Sequence, residues 1–187
     1  MKAWVSRGGE KLAAALAAWR DVLPDLHGLV AADFGANVGG FTECLLAHGV
    51  ARVYAVDTGY GVLAWTLRND PRVVVMERTN ALHVQLPEAL DIVAIDVAWT
   101  RQKHVIPAAL RLLKPTGWVL SLVKPDYEAD ETERRGGVLP AEVLDSVLQR
   151  VRRDAISAGV EVVAEKASPI RGCKGNIEYF WLLRRRT

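Results

Sequence analysis

Five apolar runs of strand length, at 29–34, 52–57, 73–76, 91–96 and 118–124, alternate along the chain with segments of helical spacing at 41–48, 61–68 and 104–113. Such alternation predicts an α/β fold in which a mostly parallel sheet is covered by helices on both faces. The run Ile92, Val93, Ala94, Ile95 is apolar at every position, the pattern of a strand buried on both sides. Residues 140–158 read as a helix with Pro140 near its start and Gly159 as its stop, and 160–164 and 177–183 read as two closing strands, seven in all. Between the two halves, 126–140 is polar and irregular, the composition of a mobile loop over a ligand crevice.

The first strand breaks at Asp33 into a glycine-rich turn, Gly35, Ala36, Asn37, Val38, Gly39, Gly40, before helical spacing resumes at Phe41. Glycines let a backbone approach a ligand that a Cβ would hold off, and the free N–H groups of the next helix face whatever occupies the turn. The second strand ends in Asp57, where a carboxylate can accept two hydrogen bonds from a ribose diol. An adenosine-containing cofactor is therefore expected. A dinucleotide turn has the spacing G-x-G-x-x-G, whereas this one is G-x-x-x-G-G with an acid before it. A carboxylate there repels a pyrophosphate and suits an ammonium, which favours S-adenosylmethionine (SAM) over NAD.

With 187 residues, half of them hydrophobic, the chain is expected to form one domain, 1–187, in which 1–28 is a helical extension. A net charge of +2 does not by itself announce a nucleic-acid binder, although basic residues gather near Arg7, Arg101, Arg134, Arg171 and Arg184. Cys44 and Cys173 have neither metal-ligand spacing nor a disulfide framework and read as free thiols of a cytoplasmic protein. No apolar stretch is long enough to span a bilayer, and no bound metal is expected.

Asp33, Asp57, Asp96 and Lys124 each close a predicted strand, and in open α/β sheets the carboxyl ends of the strands form the ligand crevice. A lysine ending a buried strand is unusual, because burial penalises its charged form and lowers its pKa. Such a lysine can act as a base. Asp96 beside it can hold the amine, orient a nucleophile or face a sulfonium.

Seven short segments extend this picture: 5–12 (VSRGGEKL), 33–42, 53–61 (VYAVDTGYG), 77–80 (ERTN), Asp96-Val97, Lys124-Pro125, and 168–178 with Gly175, Asn176, Ile177 and Glu178. In this order they resemble the haemolysin-A branch of the FtsJ-like RNA ribose methyltransferases, over about 5–183. The resemblance implies a Rossmann-like SAM-dependent methyltransferase fold with a seven-stranded sheet and a reversed last hairpin. It implies a catalytic tetrad of Lys11, Asp96, Lys124 and Glu178, with Lys124 as general base toward a ribose 2′-hydroxyl of RNA, ribosomal RNA being the expected target. It places SAM against Gly35, Ala36, Asn37, Gly39, Gly40 and Phe41, near Asp33 and Asp96, with Asp57 and Thr58 at its ribose and Asn80 at its adenine.

The sequence departs from this branch in three places. It opens almost directly on the 5–12 motif, without the small N-terminal RNA-binding domain such proteins usually carry, so a protein partner supplying RNA affinity is a further expectation. After Asp96 it reads Val97, Ala98, Trp99, Thr100, Arg101, and after Lys124-Pro125 it reads Asp126, Tyr127, Glu128. Trp99 and Tyr127 suit stacking on a base or packing in a core. The rival reading is a catalytically degenerate or partner-dependent module that binds SAM and RNA; a membrane role has no membrane-active segment to support it.

Overall fold

The computed structural model describes residues 4–136 and 138–186. In chain order the elements are α1 (Arg7–Ala18), β1 (Val30–Phe34), α2 (Gly40–Ala47), β2 (Arg52–Val56), α3 (Trp65–Arg68), β3 (Val73–Met76), β4 (Leu90–Ile95), α4 (Gln102–Leu112), β5 (Leu113–Val123), α5 (Pro125–Glu128), α6 (Ala141–Ser157), β6 (Val160–Ala167) and β7 (Tyr179–Arg185). The strands form one seven-stranded sheet in the order β3-β2-β1-β4-β5-β7-β6. It is parallel from β3 to β5, and β7 runs antiparallel to both β5 and β6.

Side chains alternate across the strands and so build two cores. Ala31, Val53, Ile92, Leu120 and Leu182 meet Leu12, Leu16 and Leu45 from α1 and α2 on one face. Ala32, Tyr54, Val93, Val119 and Leu183 meet Ile106, Val147 and Val151 from α4 and α6 on the other. The expected layering, with the uninterrupted apolar run of β4 buried from Ile92 to Ile95, is what the structure has. Helix α1 approaches α2 closely because both contribute glycine at the contact: a Cβ on Gly40 would lie 2.7 Å from the Gly9 nitrogen.

Several boundaries differ from those the pattern predicts, each for a tertiary reason. Of 61–68 only Trp65–Arg68 is helical. Gly61 is left-handed at φ +70°, and the Glu77 carboxylate accepts the Val62 and Leu63 N–H groups, 3.2 and 3.4 Å away, which holds the preceding residues open. Strand β5 begins at Leu113, paired with Leu90, rather than at 118. The segment 126–136 has regular structure that its composition does not suggest: most of α5 and a 3-10 turn, Glu131–Glu133, in which Asp130 and Glu133 form a capping box. Arg150 of α6 fastens that turn through Glu133 at 2.7 Å. Cys44 is buried, its Sγ 3.8 Å from His48 Nδ1, whereas the Cys173 thiol lies outside the described side chains.

Candidate active site

The strand order reverses between β1 and β4, and the register brings one end of the sheet into line. Phe34 pairs with Val56 and with Ile95, and Val123 pairs with Tyr179. The next residue beyond each of the first four elements is Gly35, Asp57, Asp96 or Lys124, and Glu178 immediately precedes β7. Residues far apart in sequence thus meet along one edge, at the topological switch point where open α/β sheets bind ligands.

A cleft of 620 Å³ lies there. Gly35, Ala36, Asn37, Gly40 and Phe41 form one wall, and Asp57, Thr58 and Asn80 form the next. Asp96, Lys124 and Lys11 close it. Gly35 needs to be glycine on two counts: its φ is +86°, and a Cβ would sit 2.5 Å from the Asp96 carbonyl oxygen. The Asp57 carboxylate accepts the Asn37 N–H at 2.8 Å on one oxygen and the Gly59 N–H at 2.7 Å on the other. Each oxygen keeps a lone pair, so the group remains able to accept hydrogen bonds from a diol while it locks the glycine turn. The Asn80 side-chain oxygen accepts the Leu82 N–H at 2.9 Å, shaping the far end of the cleft.

Three expected residues sit elsewhere. Gly39 turns its back on the cleft, and a Cβ there would strike Leu67 Cδ1 at 2.3 Å. Asp33 is wholly buried beneath the turn and does not line the cleft. Its Oδ2 accepts both the Thr42 N–H at 2.8 Å and the Thr42 hydroxyl at 2.7 Å, so it caps α2, whose own N-cap, Gly39, has no side chain to offer. Burial above all, with Asp96 and Asp57 adding like charge, raises its pKa to about 7 against the pull of those hydrogen bonds. The expectation of direct contact with a ligand ammonium therefore gives way to a structural role. Glu178 lies behind Lys11 rather than in the cleft wall.

The four tetrad positions form two ion pairs. Lys11 is bonded to Glu178 with both groups buried, and Gly172 makes room for the carboxylate, since a Cβ there would lie 2.3 Å from Oε1. The Lys124 ammonium sits 2.6 Å from Asp96 Oδ1 and donates to the Val97 carbonyl at 3.2 Å. Burial is the largest single influence on this lysine and pushes its pKa down, as the sequence suggests. The Asp96 charge and hydrogen bond, with Glu178 and Tyr127 behind them, outweigh it, and the net direction is up. In the unliganded protein Lys124 is a held cation, not a neutral amine.

At the rim of the cleft Trp99 stacks on Tyr127, centroids 4.6 Å apart and planes at 23°. Trp99 remains 75% exposed, with a left-handed φ of +61° that places strain at the rim. Of the two anticipated alternatives, packing in a core does not hold for Trp99, which lies at the exposed rim. The loops after β4 and β5 are joined behind this pair: Glu128 accepts the Gln102 N–H at 2.8 Å, and Arg101 pairs with Asp130 at 2.7 Å. Burial raises the Glu128 pKa to about 7. Residue-by-residue reading missed Ser6, Thr79 and Val97 as cleft walls; all three lie inside the motif segments, which was the available signal.

Residues 4–185 match the family model described as FtsJ-like methyltransferase. The chain belongs to that family. Among curated members, a Mycobacterium tuberculosis protein named 16S/23S rRNA (cytidine-2′-O)-methyltransferase TlyA is 45% identical over 193 residues, spanning all of this chain and 70% of its own length. Hemolysin A of Brachyspira hyodysenteriae is 35% identical over 94% of this chain and 75% of its own. Among solved structures, a Streptococcus thermophilus protein named for hemolysin superposes with a TM-score of 0.94 at 34% identity, covering 100% of this chain and 68% of that one. Aeropyrum pernix fibrillarin, solved with bound SAM, shares the fold at a TM-score of 0.66 and 19% identity. Among the described residues no helix is long and apolar enough to cross a membrane.

Proposed function

We propose that this FtsJ-like protein is a SAM-dependent 2′-O-ribose methyltransferase acting on ribosomal RNA. The observation that carries the reading is the meeting, in one cleft, of a glycine turn, a diol acceptor and a lysine ion-paired to Asp96. The cleft fits the cofactor: Gly35 leaves room beside Asp96, and Asp57 keeps free lone pairs toward the space where a ribose would lie. SAM, when bound, supplies a methyl group activated by a sulfonium.

In this reading Gly35, Ala36, Asn37, Gly40 and Phe41 hold the cofactor, with Asp57 and Thr58 at its ribose, Asn80 at its adenine and Asp96 toward its positive end. Lys124 would take the proton of the ribose 2′-hydroxyl, whose oxygen would accept the methyl group that SAM supplies, the sulfur–carbon bond breaking so that sulfur leaves as a neutral thioether. It starts as a cation under the hold of Asp96, and a second positive charge brought into the cleft opposes that hold and favours the neutral amine. The Lys11–Glu178 pair stiffens the wall behind. Orientation of oxygen and methyl group is worth up to about 7–11 kcal/mol, and the base adds on the order of 10²–10⁴-fold. Trp99, stacked on Tyr127, offers an open ring to the target base.

The test is transfer of labelled methyl from SAM to intact ribosomal subunits, so that any protein partner supplying RNA affinity is present, followed by mapping of the methylated nucleotide. The name of the mycobacterial relative makes cytidines the first positions to inspect. Methylation at a ribose 2′-oxygen is expected, in the cytoplasm where ribosomes are. Methylation of a base, or equal transfer to RNA carrying a 2′-deoxy nucleotide at the target, overturns the reading.

A further inference from the structure

Rim aromatics are not confined to the acceptor side. Tyr60, in the loop after β2, is 71% exposed, and Trp65 at the start of α3 is 75% exposed. Neither belongs to the cleft wall, although Gly59 and Val62 of the same loop do. The Tyr60 ring is therefore mounted beside the cofactor space, not in it. One of its faces carries the Arg78 guanidinium, 4.1 Å from the ring centroid.

This pair is rigidly supported. Arg78 holds a left-handed φ of +52°, and its N–H donates to the Gly59 carbonyl at 3.0 Å. Asp57 fixes Gly59 from one side, and Glu77 fixes Val62 and Leu63 from the other. Glu77 is also paired with Arg68, so the carboxylate next to Arg78 in sequence is already engaged. Strained backbone held by this many bonds is found where a side chain must be presented in one pose. An aromatic ring with one face backed by a guanidinium and the other turned to solvent matches the stacking surfaces of proteins that bind single-stranded nucleic acid, where each base has a π-face and each phosphate a charge. A target nucleotide that enters the cleft must leave its neighbours unstacked, and those neighbours need a surface to rest on.

Resting on the 2′-O-methyltransferase reading, we infer that Tyr60 and Arg78 form a second RNA contact on the cofactor side of the cleft, taking an unpaired base and an adjoining phosphate next to the target. The occupant is single-stranded RNA, because the surface combines an open π-face with a positive charge and lies beside the cleft that the RNA substrate enters.

The experiment measures binding of a short fluorescent single-stranded RNA to the intact protein with SAM present, for Tyr60→Ala, Tyr60→Phe and Arg78→Ala, beside the SAM affinity of each. Tyr60→Ala should weaken RNA binding about tenfold, within the range of lost base stacking, while Tyr60→Phe restores it. Arg78→Ala should lower the salt dependence by about 0.7 in slope. With a strand carrying an abasic spacer, the Tyr60→Ala effect should disappear and the Arg78→Ala effect persist. SAM affinity should stay unchanged in all three. RNA affinity indifferent to both alanine substitutions overturns the inference and leaves the surface to a protein partner, and weakened SAM binding overturns it by making Tyr60 part of the cofactor seat. Because binding is read without methyl transfer, Tyr60-dependent binding in a protein that transfers no methyl group supports the contact while overturning the methyltransferase reading.

Discussion

Asparagine at position 33 should stabilise this protein increasingly as pH rises above about 4, and most of all at alkaline pH. Asp33 is fully buried and makes its two hydrogen bonds through Oδ2, to Thr42, while Oδ1 has no hydrogen-bond partner among the described residues. An asparagine oxygen can accept the same two bonds, and its NH₂ takes the position that a proton on Oδ1 would give the neutral acid. Asp33→Asn thus mimics the protonated wild type. The folded carboxyl titrates at about 7 and the unfolded one at about 3.9. Between those values the native state binds a proton that the unfolded chain has released, so wild-type stability falls as pH rises from about 4 to about 7. The slope approaches 1.4 kcal/mol per pH unit, and the whole window amounts to about 4 kcal/mol. Urea unfolding of both proteins at pH 5, 6, 7 and 8, where each pH is roughly a unit step of that window, should show the asparagine variant gaining on wild type by about 3 kcal/mol between pH 5 and 8. Glu128, also raised to about 7, contributes alike to both proteins and cancels. A difference that is flat with pH, or an asparagine variant less stable than wild type at pH 8, would refute the reasoning and show that the site requires an anion.

Other substitutions separate the parts of the site. Lys124→Arg keeps a positive charge beside Asp96 but cannot accept a proton at usable pH, so SAM affinity should hold in calorimetry while single-turnover methyl transfer disappears. The wild-type transfer rate should climb as pH rises above neutrality, because Asp96 keeps Lys124 protonated below its raised pKa. Asp57→Ala should weaken SAM binding by about 1–3 kcal/mol in the same calorimeter, through lost charge-assisted hydrogen bonds and release of the Asn37 and Gly59 N–H groups. Gly172→Ala should displace Glu178 and slow transfer while thermal melting shows a folded protein, since the new methyl group would meet Oε1.

What the sequence made legible was the sheet and the identity of its terminal residues. Each parallel strand is an apolar run closed by a group no core would accept unaided, and that contrast marks Asp57, Asp96 and Lys124 directly. It also marks Asp33, but direction is not written in the pattern: Thr42 draws that carboxylate under the turn, and only the packed structure reveals it. The start of β5 was hidden because Lys114, Pro115, Thr116 and Gly117 interrupt the apolar run: Leu113 already pairs with Leu90, these four depart from the register, and pairing with β4 resumes at Trp118. The short α3 reflects the capture of loop amides by Glu77, a contact between segments that periodicity cannot register. Lys11 and Glu178 were reached through family resemblance, for 167 residues separate them and neither lies on a distinctive local pattern. The charge state of Lys124 followed burial in sequence reasoning; the structure reverses it by supplying Asp96 at 2.6 Å.

Pairing Lys11 on the first helix with Glu178 ahead of the last strand sets a timetable for the molecule. During synthesis β1 to β5 can assemble a parallel sheet, and the glycine turn with Asp57 can form, long before Glu178 has left the ribosome. Until then Lys11 has no carboxylate to meet, and β5 waits with an open flank for β7 to insert between it and β6. On the mechanism proposed above, a nascent or C-terminally clipped chain could hold a nucleoside before its reacting wall is complete. Methyl transfer would wait until α1 and the segment ahead of β7 find each other.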